Sequence, residues 1–96
     1  MPSLLAVDLG LRTGYALFGP DGRLLWARSK NFGSAARLRR GSAGLLDEVP
    51  DAAWLVLEGG GFLAGIWERE ARRREIGVIR VNAEQWREAF LFPRER

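Results

Sequence analysis

Cysteine and histidine are both absent from this 96-residue chain. Their absence excludes a disulfide, a thiolate nucleophile, an imidazole base and an ordinary zinc site. Any bound metal must therefore be held by oxygen ligands, which favours magnesium, manganese or calcium.

Long apolar runs are also missing. No stretch approaches the roughly 18 apolar residues of a membrane span, and the first three residues lack the basic start of a signal peptide. Hydrophobic residues nevertheless make up 47% of the chain, and charged residues are interspersed among them. We therefore expect a folded cytoplasmic protein without a membrane partner, built as a single domain over residues 1–96.

Acidic residues are slightly outnumbered by basic ones. The chain has 15 basic residues against 12 acidic ones, and Lys30 is its only lysine. The formal charge of +3 is compatible with a nucleic-acid partner, but it is weak evidence for one.

Short apolar runs separated by glycine and proline predict most of the secondary structure. Strands are expected at residues 4–7, 15–18, 24–27, 54–57 and 78–81. Helices are expected at residues 35–48, capped by Ser34, at residues 63–74, and from Asn82 to about residue 90. The order predicts an α/β fold: a three-stranded antiparallel meander followed by α-β-α-β-α, which forms one mixed five-stranded sheet with helices packed on it.

Two acidic residues stand at the ends of predicted strands. Asp8 follows the first strand and precedes Gly10, and Glu58 follows the fourth strand and precedes three glycines. If these strands are neighbours, both carboxylates can reach one divalent ion, as in phosphoryl-transfer nucleases. The alternatives are that Asp8 is a solvent-exposed acid in a hairpin turn and that one of the two acids pairs with an arginine.

The order of these segments resembles that of the RuvC-like branch of the RNase H-like superfamily. The resemblance is carried by residues 4–10, 13–16, 55–58, 78–82 and 86–87, and it spans nearly the whole chain. It implies metal-dependent phosphodiester hydrolysis, as in Holliday-junction resolvases that act in DNA recombination and repair. It also implies that Asp8 and Glu58 are catalytic ligands of Mg²⁺ or Mn²⁺ and that the partner is nucleic acid, with DNA as the expected form.

Several residues are candidates for contacts with nucleic acid. Arg12 and Thr13 lie beside Asp8, and Lys30 follows the third predicted strand. The run 72–74 is also basic, but at the end of a helix it is better explained by the helix dipole and by solvation. The large aromatic residues are expected in the core, with Trp26 the least certain of them; the others are Trp54, Phe62, Trp67 and Trp86.

The resemblance also implies further acidic ligands on a helix beyond the last strand, and the sequence printed here ends before such a helix. We therefore expect an incomplete site that a homodimer or a second chain completes. Glu84 and Glu88 are spaced four apart on the last predicted helix, where solvation is a better explanation than metal binding.

Two other functions remain open. One is a non-catalytic RNase H-like module for binding or dimerisation. The other is a fragment of an actin-like ATPase or sugar kinase, because residues 6–10, 16–18 and 21–23 also resemble the first phosphate-binding hairpin of that fold. A length suited to one domain argues against the second, because such enzymes close two domains around a nucleotide.

Overall fold

The computed structural model describes residues 3–82. Within that range the elements are β1 (Ser3–Asp8), β2 (Arg12–Phe18), β3 (Leu24–Asn31), α1 (Ala35–Glu48), β4 (Ala52–Glu58), α2 (Phe62–Arg73) and β5 (Gly77–Val81). The predicted last helix, with Trp86, lies outside the described residues. Neither of the two helices in the described range is long and apolar enough to cross a membrane.

The five strands form one mixed sheet in the order β3-β2-β1-β4-β5. Strands β1, β2 and β3 are a meander of antiparallel pairs, whereas β4 joins β1 in parallel and β5 joins β4 in parallel. This topology confirms the α/β fold predicted from the sequence, with α1 and α2 in the two crossovers.

Both helices pack on the same face of the sheet. A single core cluster joins the sheet residues Leu5, Val7, Leu55 and Leu57 to the helix residues Leu38, Leu45, Leu46, Ile66 and Trp67. Because side chains alternate along a strand, the even-numbered residues of β1 and β4 belong to the opposite face. That face carries Asp8 and Glu58.

Helix α1 has the predicted bounds. The Ser34 side chain accepts a hydrogen bond of 3.2 Å from the Arg37 backbone nitrogen, which satisfies one of the free amides of the first turn.

Strands β2 and β3 are longer than predicted. Arg12 and Lys30, expected in connecting segments, lie inside these strands, because the antiparallel ladder continues through the pairs Arg12–Asn31 and Thr13–Lys30. The apolar pattern did not predict these extra strand residues because their side chains are polar. Backbone pairing at the edge of a sheet does not require apolar residues.

The prediction of an aromatic core was wrong for two residues. Phe62 is 64% exposed at the first position of α2, where the Arg39 guanidinium lies 5.6 Å from its ring centre. Trp54 is 48% exposed on the sheet face opposite the helices, where its ring lies over Gly77. Trp67 is fully buried as predicted, and Trp26 is half-buried and packs against the core.

Arg74 joins the two helices at the end of α2. Its guanidinium pairs with Asp47 of α1 and Glu70 of α2, and it donates to the Ala43 carbonyl oxygen. The hydrogen bond to Asp47, followed by that to Glu70, raises the pKa of Arg74 above its usual value. Arg73 also pairs with Glu70, so two residues of the basic run 72–74 are held by ion pairs that the sequence analysis did not predict.

A second ion pair joins α2 to β5. Arg80 donates two hydrogen bonds of 2.7 Å to the Glu68 carboxylate, and these lower the pKa of Glu68 against the opposing effect of burial. The contribution of this pair to stability is present at neutral pH and is lost as the pH falls through the lowered pKa of Glu68. Solvent exposure keeps that contribution small.

Gly41 allows the end of β3 to pack closely on α1. The Phe32 side chain, only 5% exposed, lies against this glycine, and a Cβ at position 41 would stand 2.0 Å from a Phe32 ring carbon. Gly44, one turn further along the same helix, has open space where its Cβ would be.

We predict opposite effects of alanine at these two glycines. Gly41→Ala should lower the free energy of unfolding by about 1–3 kcal/mol, because the Phe32 ring must move. Gly44→Ala should raise it by about 0.5–1 kcal/mol through helix propensity alone. Urea unfolding followed by circular dichroism measures both, and a Gly41→Ala protein as stable as the wild type would contradict the packing described.

Candidate metal and nucleic-acid site

Asp8 and Glu58 are direct neighbours at the ends of two parallel strands. They are partners in the register of β1 with β4, and the Leu9 backbone nitrogen continues the ladder by donating to the Glu58 carbonyl oxygen at 3.1 Å. Partners in register present their side chains to the same face of a sheet. Asp8 is exposed and Glu58 is half-buried, so both carboxylates are accessible from solvent.

Gly14 leaves room beside Asp8. It is the partner of Asp8 in the antiparallel pairing of β1 with β2, and a Cβ placed on it would lie 3.8 Å from the Asp8 Cβ. Any larger side chain at position 14 would occupy the space next to the carboxylate.

Glycine-containing turns follow both acids. After Asp8, a Cβ at Gly10 would lie 2.8 Å from the Arg12 carbonyl oxygen, so the turn is too tight for another residue without movement. After Glu58, Gly59 and Gly61 have φ values of 113° and 77°, which favour glycine. These turns end the strands immediately beyond the two carboxylates.

The two acids have no ion-pair partner among residues 3–82. The salt bridges in that part of the chain involve Arg28, Arg73, Arg74 and Arg80, and none of them reaches Asp8 or Glu58. The alternative of an arginine paired with one of the acids therefore finds no support among these residues. Adjacent like charges on neighbouring strands repel each other, and a divalent cation between them relieves this repulsion.

A divalent cation with oxygen ligands fits these two residues. Carboxylates are the ligands that Mg²⁺ and Mn²⁺ prefer. The described part of the chain contains no cluster of three or more acidic side chains that could form a complete metal site. Glu84 and Glu88 lie outside the described residues.

Arg12 lies on the same face as the acids. It precedes Gly14 by two residues on β2, so its side chain is on the side of Asp8, and it is exposed and makes no ion pair with the described residues. A phosphate approaching the carboxylates would find its guanidinium nearby.

Thr13 and Lys30 belong to the other face of the sheet. Thr13 is fully buried, and its hydroxyl donates to the Gly10 carbonyl oxygen at 2.7 Å, so its side chain shapes the turn instead of facing a ligand. Lys30, the partner of Thr13 in register, holds its ammonium 5.5 Å from the Phe32 ring centre. The structure thus brings Arg12 together with the two acids, but neither Thr13 nor Lys30.

The sequence analysis missed two further basic residues as candidates for contacts with nucleic acid. Arg37 and Arg40 lie on the first turns of α1 and line one surface depression together with Lys30. The sequence shows that they are three residues apart on a predicted helix. It does not show that they lie near Lys30, because that depends on the fold.

A mainly apolar surface depression lies at the other end of the sheet. It has a volume of about 420 Å³ and is lined by Leu4, Phe18, Pro20 and Trp54, among others. Since β1 begins there and ends at Asp8, this depression is separate from the acidic pair.

Comparison with known proteins shows which solved structures have a similar fold. No family model and no curated protein matches the chain. Among solved structures, T. thermophilus RuvC in complex with a Holliday junction substrate matches with a TM-score of 0.72 at 15% identity, over 96% of this chain and 71% of that chain. The fowlpox virus Holliday junction resolvase matches with a TM-score of 0.67 at 17% identity, over 91% of this chain and 68% of that one.

A third similar structure is a Bacteroides thetaiotaomicron protein with an actin-like ATPase fold and unknown function. It matches with a TM-score of 0.65 at 13% identity. The match covers 83% of this chain but only 32% of that protein. From the sheet order, the two crossover helices and the similarity to both resolvases, we conclude that this chain has the RNase H-like fold of RuvC-type Holliday junction resolvases.

Proposed function

We propose that this protein is a RuvC-like nucleic-acid-binding domain in which Asp8 and Glu58 hold Mg²⁺ or Mn²⁺ at a site for phosphodiester hydrolysis. The observation that carries the proposal is the pairing of the two acids in register on adjacent parallel strands, with no ion-pair partner among residues 3–82. The resolvase fold supports the nucleic-acid partner, for which DNA is the form we propose.

Each residue of the candidate site would have its own role in hydrolysis. A bound divalent cation supplies Lewis-acid polarisation of the phosphodiester and lowers the pKa of a bound water molecule. Asp8 and Glu58 would fix its position, while Gly14 keeps the adjoining space free. Arg12, on the same face, would bind a phosphate oxygen and orient the backbone of the nucleic acid.

A second candidate is a non-catalytic binding module with the same fold. It is favoured by one observation: the described residues offer two carboxylates at the site and no third one near them.

For the catalytic function, we propose that residues 1–96 form one domain. Its metal site would be completed by acids outside the described range, from a second copy or from another chain.

The similarity to an actin-like ATPase fold does not favour nucleotide hydrolysis. It covers about a third of that protein, and an actin-like enzyme needs two domains to enclose its nucleotide. Tight ATP binding that is indifferent to nucleic acid would support this alternative instead.

Metal binding is expected to depend on both acids. In a calorimetric titration with Mn²⁺, Asp8→Asn and Glu58→Gln should each weaken binding by about tenfold or more, because even the loss of an outer-shell partner costs that much at metal sites. Asp51→Asn is the matched control, since this exposed acid lies in the turn before β4, at the opposite end of the sheet. Equal binding by the wild type and Asp8→Asn would refute the proposed metal site.

Cleavage by this chain alone is expected to be weak or absent. Two-metal hydrolysis requires ligands on both sides of the scissile phosphate, with the ions about 3.5–4 Å apart. Asp8 and Glu58 supply one side, and the loss of one charge-stabilising group costs on the order of a hundredfold in rate. The test is a magnesium-dependent assay on branched DNA, duplex DNA, hybrid and RNA. Robust turnover that disappears in Asp8→Asn would show that the site is complete, and Glu84 and Glu88 would be the next residues to mutate.

A further inference from the structure

A depression with three cations and no acidic residue lies where β3 meets α1. It has a volume of about 430 Å³ and is lined by Lys30, Asn31, Phe32, Arg37, Arg40 and Gly41. We call it the basic depression. An excess of cations in a concave surface raises the local potential and attracts anionic ligands.

Close packing holds its walls in place. The buried Phe32 ring lies against Gly41 and brings the end of β3 onto α1, and the Phe32 backbone nitrogen donates to the Leu11 carbonyl oxygen at 2.8 Å. Gly33 then turns the chain with a φ of 82° into the Ser34 cap of α1. The cationic side chains therefore project from a packed junction and not from a loose loop.

The three cations lack ion-pair partners among residues 3–82. Lys30 lies over the Phe32 ring, but no carboxylate in the described part of the chain pairs with Lys30, Arg37 or Arg40. Arg37 and Arg40 are also spaced three apart on one helix, where like charges repel. Other arginines of the same chain, such as Arg74 and Arg80, are paired with acids. Among residues 3–82, the depression thus carries positive charge that no carboxylate neutralises and that an anionic ligand would neutralise.

The basic depression lies at the same end of the sheet as the acidic pair. Asp8 ends β1, Arg12 begins β2 at that end, and Arg12 pairs in register with Asn31, which lines the depression. The acids lie on one face of the sheet and the depression lies on the helix side, with β2 and the edge strand β3 between them. A polyanion that passes the carboxylates and Arg12 can continue around this edge to reach Lys30, Arg37 and Arg40.

We propose that the basic depression binds phosphates of the nucleic-acid backbone beyond the point at which the backbone meets Asp8 and Glu58. This inference rests on the proposed function and adds to it a second contact region that positions the substrate. Contacts to phosphates carry no sequence information, so the depression would contribute affinity and orientation independently of sequence.

The test compares two variants that each remove two positive charges. Arg37→Gln with Arg40→Gln alters the depression, and Arg23→Gln with Arg72→Gln is the matched control. Arg23 lies beyond the turn at the other end of β2, and Arg72 lies in the last turn of α2; both are exposed. Binding of a duplex DNA oligonucleotide is followed by fluorescence anisotropy over a range of salt concentrations in buffer with EDTA, so that no divalent cation contributes.

The salt dependence of affinity is the decisive quantity. The log-log slope should become shallower by about 1.8 in the depression variant, since each phosphate contact on duplex DNA contributes about 0.9. The control variant should keep the wild-type slope to within a few tenths. Manganese binding by the depression variant should equal that of the wild type, because Asp8 and Glu58 are unchanged.

Other outcomes separate this inference from the proposed function. If the wild type binds DNA and manganese, but the two double variants lose the same slope or the depression variant loses none, the depression is not a phosphate site and the proposed function stands. If the wild type shows no salt-dependent binding of DNA, both the depression and the nucleic-acid partner are refuted. If manganese binding alone is absent, only the metal site fails.

Discussion

The parallel pairing of β1 with β4 is the interaction on which the site depends. It aligns Leu5 with Leu55 and Val7 with Leu57 on the helix face, where these side chains are fully buried in the core. The same register aligns Asp8 with Glu58 on the other face. The burial of apolar side chains that stabilises the sheet therefore also holds two like charges next to each other, and a shift of one residue would move both sets to the wrong faces.

Backbone turns convert this register into an accessible site. Gly10 and Gly59 end the strands just beyond the acids, and Gly14 adds no side chain beside Asp8. The buried Thr13 hydroxyl ties the first turn by its bond to Gly10. The result is a pair of carboxylates held by a rigid sheet and open to solvent, an arrangement that suits oxygen ligation of a divalent cation.

Much of the fold was predictable from sequence because its local signals agree. Ser34 and the apolar stripe defined α1 with its observed bounds, and apolar runs followed by Asp8 and Glu58 indicated two strands with acids at their ends. Other features depend on tertiary pairing and could not be predicted. The face on which Lys30 lies follows from the register of β2 with β3, and the exposure of Trp54 follows from the absence of α1 and α2 on its side of the sheet. The grouping of Arg37 and Arg40 with Lys30 required the packing of Phe32 on Gly41.

The most direct measurement of the central claim is anomalous diffraction at the manganese absorption edge from crystals of the wild-type protein soaked in Mn²⁺. The account predicts an anomalous peak between the carboxylates of Asp8 and Glu58, and no such peak in crystals of Asp8→Asn soaked in the same way. A wild-type map with Mn²⁺ bound elsewhere, or with both carboxylates paired to arginine side chains, would contradict it.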